Sequence, residues 1–342
     1  MFFATLIYSN KELSDTMIKV MYMKNIIINI FIPFLCLLYL FFLVINIEPI
    51  ANKGVELINK NPNIILQPIN EYAKNTEFKL IQNVTDFTPY SIQDLKNIFY
   101  TIVNNGWNDF TFYCPTEYQN CLNDMTILSK NRDLLTHINN YVHPFNGFSN
   151  VQTVLSEAGD ITISIEYFYQ PEQIKPILEK VDSIYQEIIT EDMDISTKIL
   201  TIHDYIINNT QYDVTRNNHK ESKYQSHSAY GPLLEGYATC NGYTDAMAIF
   251  LTKMNIPNFK IATTPSQENS VGHVWNAVYI NNEWLHLDLT WDDPVSTDGK
   301  DYLQHKYFLI NSSQLEEADK GEVVVTEHKI KDNIYLEFNK EA

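Results

Sequence analysis

The chain has 342 residues, 45% of them hydrophobic and 19% charged, with a formal net charge of −18 and four cysteines. That apolar content suffices for two modest domains with cores of their own. The acidic balance, without any clustered basic patch, argues against nucleic acid as a partner.

Residues 1–25 read as a short cytoplasmic N-terminus, and Met23 offers an alternative start just ahead of the first apolar run. That run, "IIINIFIPFLCLLYLFFLVINI" at 26–47, carries no formal charge over 22 residues. It is long enough to cross a hydrocarbon core of about 30 Å. The "NIEPIANKG" beginning at Asn46 shows no small-residue cleavage site, so the run is expected to be an uncleaved signal anchor. Lys24 adjoins its N-terminal side while Lys53 lies farther out on the other. This places the N-terminus in the cytoplasm and the body outside. Residues 48–85 are polar, Asn-rich and weakly periodic, as a tether would be.

From residue 86 to 190 the pattern is that of a small α+β domain. Ser91 and Asp94 are suited to cap a helix through "IQDLKNIFYTIV", which "NNG" would end. "DFTFYC" alternates as a strand does, and "NRDLLTHINNYV" reads as a helix stopped before Pro144. "VQTVLS" and "DITISIEYFY" form a predicted hairpin around Ala158 and Gly159, followed by a helix from about Ile174 to Ile189. Cys114 and Cys121, seven apart, would close a small loop in an oxidising compartment. His137 and His143 read as solvated or core histidines, and nothing in this domain assigns it a role.

Residues 191–342 open with Asp194, a good N-cap for "ISTKILTIHDYIINN". Further on, "LEGYATCNGYTDAMAIF" puts Cys240 at the foot of a predicted helix. Tyr243, Met247, Phe250 and Met254 line one stripe of it, and Asn255 with Pro257 ends it. Two strands follow. "GHVWNAVYI" and "EWLHLDLTW" flank an Asn-Asn turn suited to a tight hairpin. If Ile280 faces Glu283, then Val274, Asn276 and Val278 share a core face with Leu285, Leu287 and Leu289. The other face carries His273, Trp275, Trp284, His286 and Asp288. His273 and Asp288 then sit on a diagonal, about 7–8 Å apart at the backbone and within side-chain reach.

A thiol, an imidazole and a carboxylate together point to nucleophilic catalysis. A thiolate attacks, an imidazole moves protons, and a carboxylate orients the imidazole. Cys240, His273 and Asp288 are therefore the candidate catalytic residues. The Cys240 backbone N–H, at a helix start, is a candidate oxyanion donor, with Tyr230 as a second. Trp275, Trp284 and Trp291 either wall an acyl pocket or pack a small sheet; Trp275 and Trp291 are the candidate substrate contacts. Cys240, His273, His286 and Asp288 are also suitable metal ligands, but no tight CxxC or HxxxH spacing supports that, and no metal is assigned. "TWDDP" at 290–294 offers oxygens for calcium but reads as a turn, so no cofactor is required and calcium dependence stays open.

"YATCNGYTDAMAIFLTKMNIP", "GHVWNAVYINNEWLHLDLTWDDP" and "HKYFLIN", in this order, resemble the transglutaminase-like superfamily. They are closest to its bacterial branch with Cys-Gly-Tyr, His-x-Trp-Asn and Asp-x-Thr-Trp-Asp segments. "IHDYIINNTQYD" is similar to the lead-in helix of that family. Asn241 stands between Cys240 and Gly242, where the family is variable. The resemblance covers about residues 195–311. It implies an α+β, papain-like fold, in which a nucleophile helix packs on an antiparallel sheet. It also implies Cys240 as nucleophile, His273 as base and Asp288 as orienting carboxylate. The implied chemistry is attack on an amide carbonyl through a thioester, ending in transamidation, deamidation or hydrolysis. Protein or cell-wall peptides are the expected substrates, outside the cytoplasm. A surface binding or scaffold module that keeps the fold without the chemistry is the alternative.

Overall fold

The computed structural model describes residues 64–217, 220–263, 272–294, 302–320, 328–330 and 334–339, together with short pieces between 19 and 42. Residues 1–62 and 63–342 form two separate units. In the first, residues 32–42 are helical. Among the described residues no helix is long and apolar enough to cross a membrane. Much of the anchor expected at 26–47 lies outside the described residues.

The second unit begins with extended chain rather than a free tether. Phe78 and Ile81 are buried, and Lys74 is buried with its ammonium donating to the Asn258 carbonyl at 2.9 Å. Two buried aromatic or aliphatic anchors are enough to fix a polar strand of chain to a core, which composition alone does not reveal. Helix α1 (Ile92–Asn104) starts at Ser91, whose side chain accepts from the Asp94 N–H, while Asp94 accepts from the Tyr90 N–H. Strand β1 (Asp109–Tyr113) leads to α2 (Cys121–Lys130) and α3 (Arg132–Tyr141). A disulfide joins Cys114 to Cys121. Strands β2 (Phe148–Leu155) and β3 (Asp160–Tyr167) form the hairpin, with Gly159 at φ +99° in its turn. The sheet order is β1–β3–β2, antiparallel throughout.

Helices α4 (Pro171–Ile188) and α5 (Ile195–Asn208) follow. Asp194 caps α5 by accepting from the Thr197 N–H. A two-residue parallel pairing, β4 (Gln211–Tyr212) with β5 (Tyr237–Ala238), brings the chain to α6 (Cys240–Lys253). Asn255 then takes a positive φ of 58° beyond its end, a conformation Asn adopts more readily than most residues. A second antiparallel sheet contains β6 (Asn258–Ala262), β7 (Val274–Ile280) and β8 (Glu283–Leu287), in that order. Ile280 pairs with Glu283 across Asn281 and Asn282, both at positive φ, so the hairpin register is the one read from the sequence.

Both faces of this sheet are covered. Val278, Ile280 and Leu287 pack in one core with Tyr243, Met247 and Phe250 of α6 and with α4 and α5. Phe259, Ile261, Trp275 and Ala277 join the other core, built from α1–α3 and the first sheet. Phe259 stacks on Tyr141 of α3 with ring centroids 4.7 Å apart. The boundary expected near residue 190 therefore does not separate two cores. The face of β7 and β8 with the more polar residues has a partner layer of its own.

Candidate thiol–imidazole site

Helix α6 is buried along its length from Gly242 to Leu251, while Cys240 at its first position is half-buried. The helix start is held by close backbone approach. A Cβ on Gly242 would lie 2.3 Å from the Ser226 carbonyl oxygen, so only glycine allows α6 to sit against that loop. The Thr239 hydroxyl donates to the same Ser226 carbonyl and does not cap the helix. Its first-turn N–H groups are thus not capped by Thr239.

Thr244 joins this helix to the sheet. Its hydroxyl bonds the Cys240 carbonyl at 2.7 Å and the Val274 carbonyl at 3.0 Å. Asn276 of β7 adds a bond from its amide to the Thr244 carbonyl at 3.0 Å. These contacts set Cys240 beside His273, which lies one residue ahead of β7; its carbonyl accepts from the Thr263 N–H at 2.9 Å and its N–H donates to the Thr263 hydroxyl at 3.2 Å.

His273 is buried, with Nε2 2.5 Å from Asp288 Oδ2. With Nε2 so engaged, Nδ1 is left to face the thiol. Burial pushes the imidazole toward its neutral form. The Asp288 carboxylate, its hydrogen bond and the hydrogen-bonded Cys240 side chain together reverse this, so the His273 pKa stands well above the ordinary value. The Asp288 carboxyl is held well below the usual carboxylate range. Burial opposes ionisation there, but His273 and His328 outweigh it.

Asp288 does not lie within a strand. Strand β8 stops at Leu287, and Asp288 is the N-cap of a short helix, α7 (Leu289–Asp292). Its Oδ1 accepts from the Thr290 and Trp291 N–H groups at 2.9 and 3.1 Å. The far end of α7 is fixed as well. Asp292 is fully buried, accepts from the Tyr307 N–H at 2.9 Å, and lies 3.2 Å from His203 Nε2 of α5. An extended reading of "LHLDLTW" fails because Asp288 satisfies α7's first N–H groups, a cap that alternation does not register.

The other expected residues are placed differently. Trp275 is only 1% exposed, stacks on His273 with centroids 5.5 Å apart, and donates its Nε1–H to His286 Nδ1. It supports the imidazole rather than walling an open pocket, because the second core covers it. Trp291 is half-buried, edge-on to His273 at 6.4 Å. Tyr230 begins the turn Gly231–Glu235 and packs with the α4–α6 core. His286 belongs to a separate group, with Trp275, Ser312 and the ring of Phe338.

Two residues with no motif in the sequence complete the cluster. His328 is buried, with Nε2 3.0 Å from Asp288 Oδ2 and Nδ1 2.8 Å from Asp319 Oδ1. Forty positions separate it from Asp288 in the chain, and no local spacing links "TEHKI" to "DLTWDDP". The ligand-type atoms of His273, Asp288 and His328 all lie within 4.8 Å of one another. This is the group of ligand-type atoms that converges here, in place of the Cys240, His273, His286 and Asp288 set that the sequence offered without a metal being assigned.

The fold and site thus place a helix-initiating cysteine against a histidine just ahead of an antiparallel hairpin and an acid just beyond it. Residues 182–289, about a third of the chain, match the Transglutaminase-like superfamily core and mark a domain of that type. No curated protein sequence matches the chain. Among solved structures it is similar to a TGase, at 13% identity and a TM-score of 0.30, over 45% of this chain and 48% of that one. It is also similar to a candidate cysteine protease from Cytophaga hutchinsonii. There the identity is 16% and the TM-score 0.27, over 41% of this chain and 61% of the other. The chain thus spans less than two thirds of either neighbour, and at these scores neither likeness carries an argument by itself.

Proposed function

We propose that the protein is a thiol enzyme of transglutaminase-like type, acting on an amide carbonyl through a Cys240 thioester. The observation that carries this reading is the buried His273, bonded to Asp288 through Nε2 and with the Cys240 side chain among the neighbours that raise its pKa. In the first half-reaction the Cys240 thiolate adds to the carbonyl carbon. The C–N bond then breaks, and the amine leaves with the proton from His273. In the second half, water or a primary amine attacks the thioester, gives its proton to His273 and releases the thiolate. Asp288 holds the imidazolium in orientation throughout. First-turn N–H groups of α6, that of Cys240 among them, are the proposed oxyanion donors.

The proposal extends to place. The uncharged 26–47 run supports a membrane anchor, and the disulfide at Cys114–Cys121 supports an oxidising compartment for the body. Surface proteins or cell-wall peptides are then the substrates within reach. The test incubates the full chain and its Cys240→Ala variant with a glutamine-containing protein, a cell-wall peptide mixture and a primary-amine probe. Products are read by mass spectrometry. Cys240-dependent amine incorporation means transamidation; deamidation or cleavage alone means a hydrolase. No product from either protein, with the thiol shown to be reduced, would leave a binding or scaffold module. A metal-dependent hydrolase is favoured by one observation, the convergence of His273, Asp288 and His328. Less than stoichiometric metal in the purified protein would remove that reading.

A further inference from the structure

A second group of ligand-type side chains converges in this protein, and it shares no residue with the thiol site. His203 and Asp204 are neighbours on α5, and His305 comes from the chain that follows α7. Asp204 Oδ1 is 2.9 Å from His203 Nδ1 and 2.8 Å from His305 Nε2. All three atoms lie within 4.8 Å of one another. Donor atoms bound tetrahedrally to zinc at about 2.1 Å stand about 3.4 Å from each other, so these three sit close to ligand spacing.

One buried carboxylate builds the group from behind. Asp292, at the end of α7, is fully buried. Its Oδ2 faces His203 Nε2 at 3.2 Å, its Oδ1 accepts from the Tyr307 N–H at 2.9 Å, and its carbonyl accepts from the Gln304 N–H at 2.8 Å. A single residue thus orients the His203 ring and fixes the chain on both sides of His305. A histidine that ligates a metal through one nitrogen commonly gives the hydrogen of the other to a carboxylate, which selects the tautomer and holds the ring. With its hydrogen on Nε2 toward Asp292, a neutral His203 ring offers the Nδ1 lone pair on the side of Asp204 and His305.

We infer that His203, Asp204 and His305 form a binding site for a divalent transition-metal ion of the zinc type, with Asp292 as its outer support. The donors are two imidazoles and a carboxylate. Imidazole suits zinc, copper, iron and nickel, whereas calcium and magnesium take oxygen ligands. The His203 side chain is fully buried, while those of Asp204 and His305 are 31% and 44% exposed. The group therefore opens to solvent on one side, which leaves the fourth position of a tetrahedral ion to water. Phe308 packs edge-on against both imidazoles, with centroids 5.3 Å from His203 and 6.1 Å from His305. An ion here would clamp α5 to the chain after α7. Because α7 has Asp288 as its cap and Asp292 as its last residue, the clamp would bear on the helix whose cap is the acid of the thiol site. Neither the metal site nor its test depends on the Cys240 chemistry.

The test titrates Zn2+ into the chelator-stripped full chain and into its H305A, D204N and D292N variants. Stoichiometry and affinity are read by competition with a chromophoric chelator, and melting temperature is a second readout. Zinc held by Cys36, Cys240 or the His273 group is common to all of them and cancels in the comparison. The wild type is expected to hold one equivalent more than H305A and D204N. At zinc about a hundred times above Kd its melting temperature should rise by more than theirs. In D292N the amide can donate toward His203 Nε2 and drive the ring hydrogen to Nδ1, so affinity should fall about 10–100-fold. Equal stoichiometry and affinity in wild type, H305A and D204N would overturn the inference, and so would a wild type that binds no zinc. Either result would leave a hydrogen-bonded cluster only, with the thiol reading untouched. H305A, at an exposed position, carries the test by itself if D292N does not fold.

Discussion

At the residue scale, the site's histidines fall into two opposed electrostatic groups, and the protein's response to pH follows from both. His273 and His328 have raised pKa values. The stability they contribute is complete below the unfolded value of about 6.5 and is lost as pH rises through their folded values. His286 behaves in the opposite sense. Burial first, then the neighbouring His328 charge, push it down to about 3. Between about 6.5 and 3 the unfolded chain therefore binds a proton that the folded chain refuses, so stability falls as pH falls through that window. Buried His143 and half-buried His227, also lowered, act in the same direction. His286→Gln retains an acceptor for the Trp275 indole and cannot titrate. Its melting temperature is expected to decline less steeply than wild type from pH 6 to 4, measured by differential scanning fluorimetry. Equal slopes would assign the acid loss to other groups.

At the scale of elements, the approach of α6 to its supporting loop and the turn between β7 and β8 decide whether Cys240 and His273 meet. Gly242→Ala would press a methyl into the Ser226 and Ser228 carbonyl oxygens, 2.3 and 3.2 Å away. Overpacking of this kind costs about 1–3 kcal/mol. The expected result is a lower urea midpoint together with slower Cys240 alkylation, because the helix start must shift. Alanine at Gly242 with wild-type values for both would show that the loop yields freely. The Asn281–Asn282 turn is also specific, since both residues sit at positive φ. Replacing both by Ala is expected to cost about 1–2 kcal/mol per residue, whereas Asn282→Gly should be nearly neutral in the same urea titration.

For the molecule as a whole, residues 63–342 behave as one body because β6–β8 is buried from two sides. The 86–190 region is then part of the support for the site. Its Tyr141 and the late residue Tyr335 both pack on Phe259, and the Tyr335 hydroxyl also bonds His137 Nδ1 at 2.8 Å and accepts from the Ala262 N–H at 2.7 Å. The disulfide ties the end of β1 to the start of α2 across a separation of seven residues. Closing so short a loop is worth about 2.5 kcal/mol in the chain-entropy account. A Cys114→Ser, Cys121→Ser double variant should lose about that much in urea unfolding, and under a single shared core the alkylation of Cys240 should fall in the same transition. Two separate transitions would show that the layers unfold independently.

What the sequence by itself determined was local. The capping of α1 and α5 by Ser91 and Asp194, the start of α6 at Cys240 and the Ile280–Glu283 register all follow from short-range rules of capping, periodicity and turn chemistry. So did placing His273 beside Asp288, since a hairpin register brings its diagonal neighbours together. The tertiary structure decided what lies behind them. It made Asp288 a helix cap, turned Trp275 into a buried support, moved His286 to a separate group, and brought His328 onto the carboxylate from 40 positions away, with Asp319 behind it. Contacts of that kind leave no periodic trace, because they depend on how two cores close over one sheet and not on the spacing of residues within any element.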